Sequence, residues 1–211
     1  MRRLPVYLMI ETSGGMRGER IEAVKNGLQV LVSKLRQDPF ALESVSISII
    51  TFDREPKQIL TLTELEKIQL PDIEIPESAA PHTGRALLFL NEMLNAELIT
   101  GTPEKKGDWM PLLFILSRGT PADNADFVKA VPLIKARHFA SIVACSAGSH
   151  SSDSALKLLT DNLVHLDTAD SSTLMSFFKW VSASIGIGNR SVGTSEGLIL
   201  PPPPAEVHVV I

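Results

Sequence analysis

The sequence predicts a doubly wound α/β fold with a mostly parallel sheet and one antiparallel edge strand. Three observations carry this. The segment Leu4-Pro5-Val6-Tyr7-Leu8-Met9-Ile10 is continuously apolar rather than alternating, as in a strand covered by helices on both faces. Helical apolar periods then alternate with further apolar strands along most of the chain. Finally, Val45–Phe52 alternates and is rich in β-branched residues, and the turn Asp53-Arg54-Glu55-Pro56 joins it to Gln58–Leu62, a hairpin partner near the sheet edge.

The other elements follow in order. Ile21, Val24, Leu28, Leu31, Val32 and Leu35 recur at helical spacing, and Asp38-Pro39 stops that helix. Residues 63–83 hold three prolines and no sustained period, so they read as a long surface connection. Gly84 to Leu98 is a helix facing inward through Leu87, Leu88, Leu90, Met93 and Leu94. Trp109 to Leu116 is a buried strand. Asp123 or Asn124 caps the next helix, which buries Phe127, Val131 and Ile134 despite Pro132. A strand over Phe139–Cys145, a short helix over Ser154–Asp161 and a short strand over Leu163–Leu166 come next. The last helix runs from Ser171 to Ile185, with Leu174, Phe177, Phe178 and Val181 inward.

After Gly186 the composition shifts. Gly188, Gly193 and Gly197 precede Leu198-Ile199-Leu200, the prolines at 201–204 and Val207-His208-Val209-Val210-Ile211. The expected organisation is one domain over 1–186 and a Gly/Pro-rich tail over 187–211 packed on it, with Val207, Val209 and Ile211 facing one way as a strand. Left exposed, that apolar strand would be an aggregation hazard.

Composition bounds the function. The chain has 211 residues, a net charge of −4, 44% hydrophobic and 21% charged residues. This is enough apolar matter for one well-buried core and excludes disorder over the whole chain. A mildly acidic chain is a poor nonspecific nucleic-acid binder. The single Cys145 makes no internal disulfide and points to a reducing, cytoplasmic setting. No apolar run reaches the roughly 18 residues of a membrane span. The basic tip before Leu4 precedes a run shorter than a secretory signal requires, so it reads as the lead-in to the first strand.

In open α/β sheets ligands bind beyond the carboxyl ends of the strands, at the switch point. The loop Glu11-Thr12-Ser13-Gly14-Gly15-Met16-Arg17-Gly18 is therefore the first candidate site. It lacks the Lys-Ser/Thr pair of a P-loop, and Gly14, Gly15 and Gly18 miss the dinucleotide spacing. Glu11 stands where a nucleophile elbow needs glycine, so Ser13 is a poor nucleophile. What remains is a carboxylate and a hydroxyl two residues apart, a pattern suited to a hard cation such as Mg²⁺.

The pattern resembles the von Willebrand factor A domain, a Rossmann-like fold, and its metal-ion-dependent adhesion site. That site reads Asp-x-Ser-x-Ser, then a later Thr, then an Asp after the fourth strand. The run Pro5 to Glu19, with Ile21-Glu22-Ala23-Val24 and Asn26-Gly27-Leu28, looks much like the bacterial TerY-type branch associated with tellurium resistance. Phe177-Phe178-Lys179-Trp180-Val181-Ser182 and the proline-rich end are similar too. Carried over on this resemblance, Ser13 and Thr83 match, while Glu11 replaces the first Asp and Gly15 the second Ser. Arg118, in Ser117-Arg118-Gly119, stands where the last Asp belongs.

The resemblance thus implies a degenerate metal site of Glu11, Ser13 and Thr83, at which Arg118 disfavours Mg²⁺; Asp123 is an alternative ligand. It implies that the Arg118 guanidinium lies in or near the metal's place and pairs with Glu11. It further implies no enzyme activity and no cofactor. The module would bind a protein partner through Glu11, Ser13, Gly15, Thr83 and Arg118, within a stress-response system that also holds a protein kinase and a phosphatase. Neither nucleic acid nor membrane is an expected partner. Simpler roles stand beside these: helix capping for Glu11, Ser13 and Thr83, a solvent-facing Arg118, and packing for Cys145, Trp109 and Trp180. His82 alone in a loop, and His138, His150, His165 and His208 without metal spacing, suggest no further site. Asp72, Glu74 and Glu77 read as a solvated acidic loop.

Overall fold

A computed structural model describes residues 2–76, 80–118, 120–148, 153–191 and 200–210. Glu77, Gly119, His150, Gly193, Gly197, Leu198, Ile199 and Ile211 lie outside the described residues. The elements are β1 (Leu4–Glu11), α1 (Glu19–Arg36), α2 (Pro39–Ser44), β2 (Val45–Phe52), β3 (Pro56–Glu64), α3 (Thr83–Glu97), β4 (Leu112–Ser117), α4 (Asn124–Lys135), β5 (Ser141–Ala147), α5 (Asp153–Leu159), β6 (Leu163–Leu166), α6 (Ser171–Ser191) and β7 (His208–Val209). The strands form one sheet in the order β3-β2-β1-β4-β5-β6-β7.

β1 pairs in parallel with both β2 and β4, and the parallel run continues through β5 to β6. β3 lies antiparallel to β2. The predicted class holds with one correction: a second antiparallel strand, β7, covers the opposite edge by pairing with β6. β7 lies within the tail segment read as a strand and has only two residues.

The continuous apolar run of β1 has a direct cause. Val6, Leu8 and Ile10 face one core layer with Val24, Leu28, Leu31, Phe177 and Phe178 of α1 and α6. Tyr7 and Met9 face the other, with Leu87, Leu90 and Phe127 of α3 and α4. Each layer contains one close helix approach made possible by glycine. A Cβ on Gly27 would stand 2.2 Å from the Phe178 ring, and one on Gly84 would stand 2.1 Å from the Phe127 amide nitrogen.

Some predicted boundaries move. Asp38-Pro39 ends α1 and also opens α2, where Asp38 accepts a hydrogen bond from the Phe40 amide and Pro39 takes the first turn. The connection after β3 is anchored rather than superficial, because Leu65, Ile68 and Ile73 are buried in the α1/α6 layer. Within it, Asp72 and Glu74 are exposed and Asp72 pairs with Lys25 at 2.7 Å. α6 runs past Ile185 to Ser191.

In the tail, the Trp180 indole donates to the Pro201 carbonyl at 2.9 Å and Val207 is buried. Val207 and Val209 do not face one way: Val209 is 54% exposed. Val207 precedes the strand, in a turn closed by its amide on the Pro204 carbonyl, so the two-residue period does not reach it. Cys145 is fully buried, and burial pushes its thiol well above the ordinary value. Among the described residues no helix is long and apolar enough to cross a membrane.

The Gly84 contact is with backbone, which cannot swing aside. Gly84→Ala is therefore expected to cost about 3 kcal/mol in urea unfolding, the upper part of the usual overpacking range. Gly27→Ala meets a ring that can turn, and is expected to cost about 1–2 kcal/mol.

Candidate functional site at the switch point of the sheet

The chain runs from β1 leftward to β2 and later rightward to β4, so the loops after β1 and β4 diverge at the centre of the sheet. β1 and β4 are parallel neighbours, with Ile10 opposite Leu116. Their next residues, Glu11 and Ser117, therefore emerge side by side. Glu11 is 1% exposed. Its Oε1 accepts a hydrogen bond from the Ser13 hydroxyl, and its Oε2 accepts from Ser117 Oγ at 2.7 Å and from the Arg118 amide at 2.7 Å. Burying a carboxylate without donors would be costly, and three donors offset that cost.

The predicted pairing of Arg118 with Glu11 is made by the main chain. The guanidinium turns elsewhere: its Nη1 donates to the Gly15 carbonyl at 2.8 Å. Two glycines frame it. A Cβ on Gly15 would stand 2.4 Å from Nη1, and one on Gly148 would stand 3.4 Å from Nη2. Gly148 follows β5 with φ +95, a conformation that L side chains rarely adopt. Positions 15 and 118 are thus coupled, because a side chain at position 15 would take the space that the Arg118 guanidinium fills.

Thr83 is buried in the first turn of α3, and its Oγ1 has no hydrogen-bond partner among the described residues. Neither Ser13 nor Thr83 caps a helix through its side chain. Asp123 sits at the N-cap position of α4, as predicted, but its carboxylate reaches across to α3 and accepts from the amides of Gly84 at 3.1 Å and Arg85 at 2.7 Å. Glu11, Ser13, Gly15 and Arg118 thus form one hydrogen-bonded group, while Thr83 and Asp123 belong to the start of α3.

The donor set is a poor fit to a divalent cation. Both Glu11 oxygens already accept hydrogen bonds, Gly15 supplies no hydroxyl, and a guanidinium lies at the Gly15 carbonyl. Among the described residues no group of three His, Cys, Asp or Glu side chains is placed to hold a metal.

Beside this group opens a cleft of about 540 Å³, lined by Arg17, Arg20 and Arg118 and faced by Glu19, Asp167 and Asp170. Sequence reasoning gave Ser117, Arg17, Arg20 and Gly148 no role. Ser117 is quoted beside Arg118, and only its place at a strand end hints at its function. Across β1 lies a second cleft, of about 540 Å³, with Asp53, Glu55, Asp72 and Glu74 in its wall. The first cleft thus carries three arginines and three carboxylates, and the second carries four carboxylates and Lys57.

Comparison with known proteins bears on the fold. No protein-family model and no curated protein matches the sequence. Solved structures do match. A proximal thread matrix protein of the mussel byssus superposes with a TM-score of 0.66 at 15% identity, over 86% of this chain and 48% of that one. A second structure of it, described as having a zinc-occupied MIDAS motif, gives 0.64 at 14%, over 86% and 48%. A von Willebrand factor type A protein from Catenulispora acidiphila gives 0.62 at 14%, over 87% and 42%. The ArnB paralog VWA2 from Sulfolobus acidocaldarius gives 0.56 at 16%, over 85% and 45%. The fold is that of the von Willebrand factor A domain. The chain spans about half the length of these structures.

Exchanging the coupled positions tests the metal reading. Gly15→Ser with Arg118→Asp is expected to create Mg²⁺ binding detectable by titration calorimetry, while Gly15→Ser alone displaces the guanidinium and binds no Mg²⁺. A double variant as silent as the single one would remove positions 15 and 118 from any metal site.

Proposed function

We propose that the protein is a non-enzymatic interaction module that binds an acidic group of a protein partner directly, without a metal, at the loops following β1 and β4. The observation carrying this reading is the Arg118 guanidinium held between Gly15 and Gly148 at the switch point. A fixed cation there provides attraction for a partner carboxylate, and its planar fork suits two oxygens. Structural similarity to von Willebrand factor A proteins supports an interaction role. The TerY-like motifs around Glu11 and Phe177 support a place in a bacterial tellurite-resistance or stress-response system, in the cytoplasm, with a kinase or phosphatase of that system as the partner.

The arrangement of the remaining hydroxyls and histidines supports a non-catalytic role. Ser146 Oγ lies 2.7 Å from Nδ1 of the buried His165, and Asp153 Oδ1 lies 3.6 Å from the same nitrogen. The acid nearest the opposite ring nitrogen, Asp167, lies 3.8 Å from Nε2, outside hydrogen-bond reach, and Ser146 is fully buried, so the group presents no nucleophile to a substrate. The reading against which the proposal is set is a structural subunit with an inactive metal site.

Partner capture from the native source, compared across variants, separates the two. Arg118→Ala is expected to abolish capture while moving stability by no more than about 0.5 kcal/mol, as for a surface change. Capture by the natural chain is expected to survive EDTA. Glu11→Ala leaves three donors unpaired and is expected to lower stability by about 1–3 kcal/mol in denaturant melts. Retained capture by Arg118→Ala would favour the structural subunit.

A further inference from the structure

We propose that the arginine wall of the cleft beside Arg118 is a binding site for a phosphate monoester dianion. The inference deepens the reading above by naming the acidic group, and its partner arm rests on that reading.

Three guanidiniums at this cleft bond neutral oxygens rather than carboxylates. Arg17, Arg20 and Arg118 line one cleft, and their hydrogen bonds go to neutral main-chain carbonyls: Arg17 to Pro76 at 2.8 Å, Arg20 to Gly15 at 3.0 Å, Arg118 to Gly15 at 2.8 Å. Two guanidiniums meeting at one oxygen repel each other, and that oxygen carries no net charge to relieve them. Each guanidinium has five N–H donors, so most are available. The Arg118 Nε is buried with no partner among the described residues, which keeps this cation short of its full hydrogen-bond complement.

Three carboxylates line the same cleft, and two of them accept hydrogen bonds from neutral donors. Glu19 accepts from Ser171 Oγ at 3.0 Å. Asp170 accepts from the Thr168 and Ser172 hydroxyls and the Thr173 amide, which hold its carboxyl far below the usual range. Asp167 lies 3.2 Å from His208 Nε2 and 3.8 Å from His165 Nε2. A single carboxylate satisfies one guanidinium fork. A phosphate monoester offers two charges and three oxygens, matching several guanidiniums at once. The cleft, at about 540 Å³, admits such a group together with the atoms that carry it.

The pH response distinguishes the ligand classes. A phosphate monoester gains its second charge near pH 6, so binding strengthens from pH 5 to 7. A carboxylate is already ionised at pH 5. On the protein, His165 and His208 stand beside Asp167. A proton on either would add positive charge and favour an anion there, the opposite direction. Glu19, Asp167 and Asp170 act likewise: any protonation at low pH removes negative charge from the cleft. A rise in affinity with pH therefore belongs to the ligand.

The test uses the full chain, with calorimetry or amide NMR shifts. The probes are inorganic phosphate, O-phosphoserine, and arrayed phosphoserine peptides with their unphosphorylated and glutamate counterparts. Saturable binding is expected to strengthen about tenfold from pH 5 to 7, as expected when the second phosphate charge forms. Arg20→Gln and Arg118→Gln are each expected to weaken it about tenfold, at unchanged melting temperature. Phosphopeptides binding more tightly than O-phosphoserine would identify a protein-borne phosphate; equal affinities would identify a free monoester. No saturable binding at millimolar phosphate and phosphoserine, or glutamate peptides matching phosphopeptides, would overturn the proposal. If Arg118→Ala still abolished partner capture in that case, the acidic-group reading would stand and only the phosphate assignment would fall.

Discussion

The hydrogen bonds around Glu11 hold the loops after β1 and β4 together. A carboxylate at 1% exposure is tolerated because three donors reach it, one from its own loop and two from the end of β4. Parallel pairing of β1 with β4 sets the carboxylate beside those donors. The carboxylate in turn closes the base of the crevice where the two loops part. Removing it would leave donors facing an apolar layer; removing a donor would leave charge unmatched. The geometry of Arg118 follows, since its own amide is one of the three donors and so fixes where its side chain begins.

The guanidinium's position shows how substitutions in a site become linked through space. Gly15 and Arg118 are far apart in sequence, yet a Cβ on one would collide with the other. Gly148 supplies the second wall through a backbone conformation that other residues adopt with strain. Positions 15 and 118 are therefore coupled sterically: the guanidinium occupies the space that a side chain at position 15 would need.

Much of the architecture was legible because burial on both faces leaves a plain mark. Val6, Tyr7, Leu8, Met9 and Ile10 are apolar without alternation because two helical layers press on β1 from opposite sides. Glu11, Ser13, Gly15 and Arg118 were legible as a group only through resemblance to a known pattern. Whether Arg118 would reach Glu11 by side chain or by main chain depends on how the loops after β1 and β4 pack, which no residue pattern marks. Arg17 and Arg20 match no motif in the sequence, and only the fold brings them to the same cleft as Arg118. α2 was hidden because its cap and proline also serve as the stop signal of α1. β7 lies within the segment read as a strand, and among the described residues only His208 and Val209 of it pair with β6.

The anchoring of the two ends of the chain has an optical consequence. The chain has two tryptophans. Trp109 lies under the Arg2 guanidinium, 3.6 Å from the ring centroid, where the segment leading into β1 meets the strand-4 approach. Trp180 is packed beside Phe177 and hydrogen-bonded to Pro201 of the tail. One indole senses a cation and the other senses a carbonyl. Detachment of either terminal segment would change the emission of one fluorophore and leave the other as an internal reference.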